Sequence, residues 1–393
     1  MTGPLSGLKV LDCTHVLAGA WCSLILADLG ADVVKIEPLE GEAMRGRPES
    51  RFRPFDFVNR NKRAIAVDIT SAAGAEVVRA LTRGADVFVE NYRPGVLERA
   101  GLGFEALHGV NPALIYASVS GFGHTGPYRD RGGLDLIAQA MSGIMSFTGE
   151  PGAARPVAAG VPLADVTAGI YAAVGVLAAL NHRRLTGEGQ HVEATLLESA
   201  MAHTVWEAGN ALTTGEVARR NGSRHRLTAP YEALKTGDGF LVIGVNNQKL
   251  WGRLCAALGA GELEADPLFA RPPLRLANRD ALQARLEAIL ATDGTGAWVA
   301  KITAAGVPCG PVNDIAQALA DPHLQARGYL AQVEGRRFPK TPLAFSGAAV
   351  EVARGVPRIG EHTREVLAEA GLAAAAIDGL IESGTIVAAE ARA

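Results

Sequence analysis

Lys9-Val-Leu-Asp12, Trp21-Cys-Ser-Leu-Ile-Leu-Ala-Asp-Leu29 and Asp32-Val-Val-Lys-Ile-Glu37 follow one another as a strand, an apolar helix and a second strand. The alternation continues through Ala64–Asp68, the amphipathic pattern Ala72–Thr82, Asp86–Glu90 and Leu114–Ser118. Strands separated by helical crossovers make a mostly parallel sheet, because parallel neighbours need such connections. The apolar runs Val33–Ile36 and Ile65–Val67 suit strands covered on both faces. The first third of the chain therefore reads as α/β.

Outward from that core, the pattern breaks between Glu40 and Phe57, where Gly46, Pro48 and Pro54 punctuate an arginine-rich stretch. This stretch is expected to be an irregular connection near the site, and Gly121–Gly133 a second, Gly-rich loop. The apolar run Val166–Leu180 is short for a bilayer and contains Thr167, Gly169 and Gly175, so it reads as a buried helix. Gln190–Leu196 reads as a further strand. The sequence divides into a large domain over 1–214, a linker at 215–228, a small α/β domain at 229–327, and a segment at 328–393 returning to the large one.

Composition narrows the function. The 393 residues carry 38 basic and 41 acidic side chains, well mixed, which gives no basic face for a nucleic acid. Cys13, Cys22, Cys255 and Cys309 form no paired framework and read as free thiols of a reducing compartment. Met1–Leu11 lacks the pattern of a signal peptide. A cytoplasmic protein with no membrane partner is expected.

Several motifs fail on context. Gly121-Phe-Gly123-His-Thr-Gly126 matches G-x-G-x-x-G, but Pro127 and the charged Tyr128–Arg131 follow instead of a helix. A dinucleotide site needs those glycines to open into a helix N-terminus. There is neither a G-x-x-x-x-G-K-[ST] loop nor a G-x-S-x-G elbow. The nine histidines show no metal-ligand spacing, so no metal is expected.

A set of segments in fixed order resembles the class III CoA-transferases, the family of formyl-CoA transferase, carnitine CoA-transferase and α-methylacyl-CoA racemase. They are Pro4–His15 with Val16-Leu-Ala-Gly19, Leu29–Glu37, Asn59-Arg-Asn-Lys62, Val89-Glu-Asn-Tyr-Arg-Pro-Gly95, Ala164-Asp165, Arg183–Gln190, Gly306–Pro311 and Gly360-Glu-His-Thr363. The resemblance implies a Rossmann-like large domain with a smaller α/β domain, in an interlocked homodimer. It places the family's nucleophilic aspartate on Asp165. It places coenzyme A contacts on Val16, Leu17, Ala18, Asn91, Tyr92, Arg93 and Arg99. Arg45 and Asp135 are candidate supporting residues. The implied substrates are an acyl-CoA and a carboxylic acid, with the CoA thioester as substrate and no permanently bound cofactor.

Read without the family, an aspartate opening an apolar helix is usually an N-cap. The resemblance adds the covalent role, and a helix N-terminus favours the carboxylate anion that either role uses. Asp135 shapes the local field or caps a helix. Arg45, Arg93 and Arg99 are anion contacts or solvated surface charges. Formyl-CoA transferase carries glutamine where this chain has Leu17, the arginine that often follows the family's Lys-Ile-Glu strand is here Pro38, and the oxalate enzyme's small-domain glycine-run loop is missing, with Asn221–Ala229 in its place. Those departures, with Ala229-Pro-Tyr-Glu-Ala-Leu-Lys-Thr236, point to the branch using succinyl-CoA and dicarboxylates. The alternatives are a racemase, which would need a histidine where Gly133-Leu134-Asp135 has leucine, and a non-catalytic CoA-binding relative.

Overall fold

A computed structural model of the chain describes residues 3–47 and 49–389. Pro48 of the expected irregular connection, the first two residues of the N-terminal segment and 390–393 of the tail lie outside the described residues.

The apolar strands pair as β1 (Lys9–Cys13), β2 (Asp32–Glu37), β3 (Arg63–Val67), β4 (Val87–Glu90), β5 (Ile115–Ser120) and β6 (Gln190–Thr195). They lie in the order β3-β2-β1-β4-β5-β6, and all their pairings are parallel. A seventh strand, β12 (Ile386–Val387), adds to β3 antiparallel. This is a mixed α/β architecture with a large, mostly parallel sheet. The strand order is that of the doubly wound Rossmann topology, which reverses direction between β1 and β4. Loops leaving neighbouring strands part at that point, so a crevice opens at their carboxyl ends.

Burial explains the strand assignments. Every residue of β3, β4 and β5 is buried, as expected for strands covered on both faces. Leu11, Val34, Ile36, Ile65, Phe88 and Tyr116 pack with Val77, Val78 and Leu81 of the Ala72–Thr82 helix. Ser71 caps that helix by accepting the Gly74 N–H at 3.0 Å.

The long helix runs from Leu163 to Thr186 and ends at Gly187 in the left-handed conformation. By length and composition it could cross a membrane. Its small residues Ala164, Ala168, Gly169, Ala172, Ala173, Val176 and Ala179 are buried. At Gly169 a Cβ would lie 2.6 Å from the Ala18 carbonyl oxygen, so the absence of a side chain sets the close approach to the Ala18–Asp28 helix. The expected buried helix is buried along one stripe only: Ile170, Tyr171, Val174 and Leu177 face outward. Apolar content alone does not tell those faces apart.

The chain divides into two compact units. One comprises residues up to Ile144, Ala158–Gly215 and the stretch from Ala326 onward. The other comprises Met145–Val157 and Glu216–Gln325. The second unit has its own antiparallel sheet, β7 (Tyr231–Lys235), β8 (Phe240–Gly244) and β9 (Cys309–Pro311). Its core gathers Leu241, Ile243, Trp251, Leu254, Leu286 and Trp298. In the first unit β10 (Leu330–Val333) and β11 (Arg336–Pro339) form a separate hairpin.

Candidate active site

Three loops leave the carboxyl ends of β1, β4 and β5 and line a cleft of about 430 Å³. His15, Val16, Leu17 and Ala18 come from the first, Asn91 to Pro94 from the second, and Gly121, Phe122, Gly123, Arg129, Arg131 and Gly132 from the third. Asp165 reaches it from the first turn of the Leu163–Thr186 helix. The cleft therefore sits where the strand order reverses.

Among the described residues, Asp165 is the only carboxylate lining this cleft. It is half-buried, and its carboxyl is pushed up to about 6, first by burial and then by the nearby negative Asp135. It does not cap its helix. The N-cap position is Pro162, which has no side chain to accept a bond. Asp135 supplies the acceptor instead, with Oδ1 taking the N–H of Ala164 at 2.7 Å and of Asp165 at 3.3 Å. Gln139 holds Asp135 in place by donating to its Oδ2 at 2.7 Å, and its own carbonyl oxygen accepts the Ala159 N–H at 2.9 Å. Of the two roles read for Asp135 in the sequence, the geometry shows the cap, on another helix than its own.

The turn after β1 is unusual. Val16 has φ +61°, a conformation that a β-branched residue adopts at a cost of order 1–3 kcal/mol. Asn91 clamps the residue before it, its Oδ1 accepting the His15 N–H and its Nδ2 donating to the His15 carbonyl, each at 2.8 Å. The His15 and Tyr92 rings meet edge-on with centroids 4.8 Å apart. The Ala18–Asp28 helix begins here with Leu17 at its N-cap, which has no side-chain oxygen, so the first backbone N–H groups of the helix point out of its end without an intrahelical acceptor.

The third loop folds back on itself. A Cβ on Gly133 would lie 2.4 Å from the Gly121 Cα, so glycine at both positions lets the loop stems touch. His124 ties the loop to the sheet edge, its ring Nδ1 2.7 Å from Glu193 and its backbone N–H donating to the same oxygen at 3.0 Å. His191 lies beside it and meets the Ser118 hydroxyl at 2.8 Å. The ligand atoms of His124, His191 and Glu193 all come within 4.8 Å of one another. That juxtaposition joins β6, which carries His191 and Glu193, to the loop that carries His124, and sequence spacing does not bring the loop residue to the pair.

The structure brings together Val16, Leu17, Ala18, Asn91, Tyr92, Arg93 and Asp165 on one cleft. Arg99 stands outside the lining, its guanidinium within 3.0 Å of the space a Cβ on Gly95 would fill. Arg45 also stands apart. Its Nη2 and Nε grip Glu37 at 2.5 and 2.7 Å, Nη1 donates to the Pro357 carbonyl at 3.0 Å, and the guanidinium lies 3.9 Å over the Phe55 ring. Arg129 and Arg131 line the cleft and were not singled out in the sequence. Their one signal there is the pair of cations inside a Gly-rich loop; in the structure the Arg131 guanidinium lies 4.4 Å over the Tyr128 ring.

The sequence and fold match known proteins over nearly the whole chain. The CoA-transferase family III model matches residues 5–363. A protein of Agrobacterium fabrum described as succinate–glutarate CoA-transferase is 39% identical, with 93% of this chain and 95% of that protein covered. An acyl-CoA transferase of Fusarium pseudograminearum is also 39% identical, with 98% and 88% covered. The crystal structure of a CAIB/BAIF family protein from Brucella suis superposes with a TM-score of 0.87 at 39% identity, covering 94% of this chain and all of that one. The chain belongs to CoA-transferase family III, and it is an enzyme of acyl-CoA:carboxylate CoA transfer, as the resemblance implied.

Proposed function

We propose that the enzyme moves CoA from succinyl-CoA, or another short dicarboxylyl-CoA, to a carboxylic acid through covalent intermediates on Asp165. The observation that carries this reading is Asp165 as the one carboxylate, among the described residues, in a cleft whose other polar side chains are neutral or arginines, among them Asn91, Tyr92 and Ser120. With a carboxyl near 6 it is largely ionised at pH 7, yet more basic than an ordinary aspartate, which favours nucleophilic attack.

An Asp165 oxygen attacks the thioester carbonyl, and the C–S bond breaks to leave a mixed anhydride and CoA thiolate. The thiolate then attacks the Asp165 carbonyl, which releases the donor acid and forms an aspartyl-CoA thioester. The acceptor carboxylate attacks that thioester, giving a second anhydride and thiolate. Attack of the thiolate on the acceptor acyl carbon yields the new acyl-CoA and free Asp165. Each step passes through a tetrahedral oxyanion, for which the outward N–H groups at the start of the Ala18–Asp28 helix are the proposed donors. The CoA contacts proposed are Val16, Leu17, Ala18, Asn91, Tyr92 and Arg93, with Arg99, from outside the cleft lining, as a further one. The scheme asks for no resident cofactor.

The substrate class rests on the succinate–glutarate enzyme among the relatives and on leucine at position 17. An interlocked homodimer is part of the proposal. It is supported by the outward apolar side chains Ile170, Tyr171, Val174 and Leu177 of the long helix, and by the exposed Val205 and Trp206. Sedimentation or native mass spectrometry tests it, and a monomer at micromolar concentration would remove it.

The functional test is formation of glutaryl-CoA from succinyl-CoA and glutarate by the purified protein, with Asp165→Ala as control. Transfer that the variant lacks supports the reading. No transfer with any dicarboxylate pair would overturn the substrate class.

A further inference from the structure

The turn joining β1 to the Ala18–Asp28 helix is held by side chains from four separate places in the chain. The Thr14 N–H donates to Asp12 Oδ1 at 3.0 Å, and the Thr14 carbonyl accepts from Lys35 Nζ. Asn91 takes both backbone groups of His15. The Val16 N–H donates to Glu42 Oε1 at 2.6 Å. A strained backbone persists only where its surroundings over-determine it, and that condition is met here.

Glu42 is the member whose presence the fold explains least. It belongs to the irregular connection after β2, yet it is buried. Its Oε2 pairs with Lys35 Nζ at 3.1 Å, and its own N–H donates to Glu37 Oε2 at 3.1 Å. Glu37 in turn grips Arg45, and Lys62 Nζ sits on Asp12 at 2.7 Å. The buried carboxylates Asp12, Glu37 and Glu42 thus face the cations Lys35, Lys62 and Arg45 in a balanced set. A neutral acceptor would satisfy one amide. A carboxylate makes the shorter, stronger, charge-assisted bond.

A role confined to fold stability does not account for Val16. Glycine takes a positive φ without penalty, so a turn selected for stability alone would carry glycine there. Valine stands there instead, 45% exposed, with its side chain on the cleft. The strain is kept for the cleft, and something must hold it.

We propose that Glu42 is a positioning residue for the transfer reaction: through the Val16 N–H it fixes the strained turn that aims the Leu17 and Ala18 backbone at the reacting carbonyl. This rests on the reading of the cleft as the place of transfer. Glu42 touches no substrate; it acts through Val16.

The test uses the full-length enzyme with succinyl-CoA and glutarate, and compares Glu42→Ala, Glu42→Gln and the double variant Glu42→Ala with Val16→Gly. Glu42→Ala is expected to lower kcat by about 10- to 100-fold, with KM for succinyl-CoA within about threefold, as when donors to an oxyanion are misplaced. Glu42→Gln keeps an acceptor for Val16 and is expected to lose about three- to tenfold. Adding Val16→Gly removes the strain, and is expected to restore kcat by about fivefold or more over Glu42→Ala alone. A Glu42→Ala kcat within twofold of wild type overturns the proposal. So does a loss that tracks the fall in Tm and that glycine at 16 leaves in place. Should Glu42→Ala fail to fold, Glu42→Gln decides: a threefold loss at unchanged Tm supports the role, and an unchanged kcat overturns it. A wild type that forms no covalent adduct would instead sink Asp165 as nucleophile, while these kcat ratios would still decide Glu42.

Discussion

The carboxylate of Asp135 accepts the backbone N–H groups of Ala164 and Asp165, so one acid caps the helical turn that carries the other. The cap positions Asp165 and loads it with a neighbouring negative charge. Burial and that charge together push the Asp165 carboxyl up to about 6. A helix N-terminus alone would favour the anion by only ~0.3–1 kcal/mol. At this site burial and the neighbouring acid outweigh it.

Asp135→Asn should therefore move the pH profile. Asparagine can still accept the two N–H bonds, but its charge is gone. Activity of the wild type should fall as pH drops through about 6, because the nucleophile becomes protonated. In Asp135→Asn the acid limb of kcat/KM is expected to lie lower by about one pH unit. An unmoved limb would mean that Asp135 contributes a bond and no field.

The same shift has a sign in stability. A carboxyl raised on folding contributes stability that is present below its unfolded value and lost as pH rises through about 6. Above that pH the enzyme holds an anion at some cost. Asp165→Asn should stabilise the fold at pH 7.5 by roughly 1–3 kcal/mol, less where solvent screens the charge, and the gain should vanish near pH 3.5. Urea denaturation at the two pH values measures it; equal gains at both would contradict the assignment.

Asp12 is the hub of the buried ion set, accepting from Thr14, Ser23 and Lys62. Burial alone would raise its carboxyl, but the adjacent Lys35 and Lys62 ammonium groups hold it below the usual carboxylate range. Asp12→Asn leaves two buried ammonium groups short of a partner. The expected loss is about 3–5 kcal/mol of folding free energy, read from the urea midpoint. A loss under about 1 kcal/mol would show that the cations find other partners.

Gly133→Ala tests the third loop. Its new Cβ would fall 2.4 Å from the Gly121 Cα and force the loop stems apart. We expect kcat/KM to fall by about tenfold or more, with the loop's cleft-lining arginines displaced, since small misplacements cost large factors in rate. Retained activity would show that the loop closes independently of its stems.

Much of this was legible in the residues. Alternating apolar runs gave the parallel sheet, and the order of short motifs placed Asp165, Asn91 and Val16 on one site. What stayed hidden were contacts across long separations. Lys35 sits inside an apolar strand, and only the structure shows it fully buried against Asp12 and Glu42. Arg45 reads as a free anion contact until Glu37 is seen beside it. Asp135 lies at the start of one helix and caps another, which local capping rules cannot detect. β12, two residues long, carries no pattern of its own and pairs only because the tail returns to β3. Periodicity reports which faces are apolar; it does not report which partner a buried charge finds.

The most direct test of the covalent account is the intact-protein mass after mixing with succinyl-CoA, before and after hydroxylamine, for wild type and Asp165→Ala. The account predicts a succinyl or CoA adduct on the wild type, discharged by hydroxylamine and lacking in the variant. An adduct of equal yield on the variant, or none on a wild type that turns over, would contradict it.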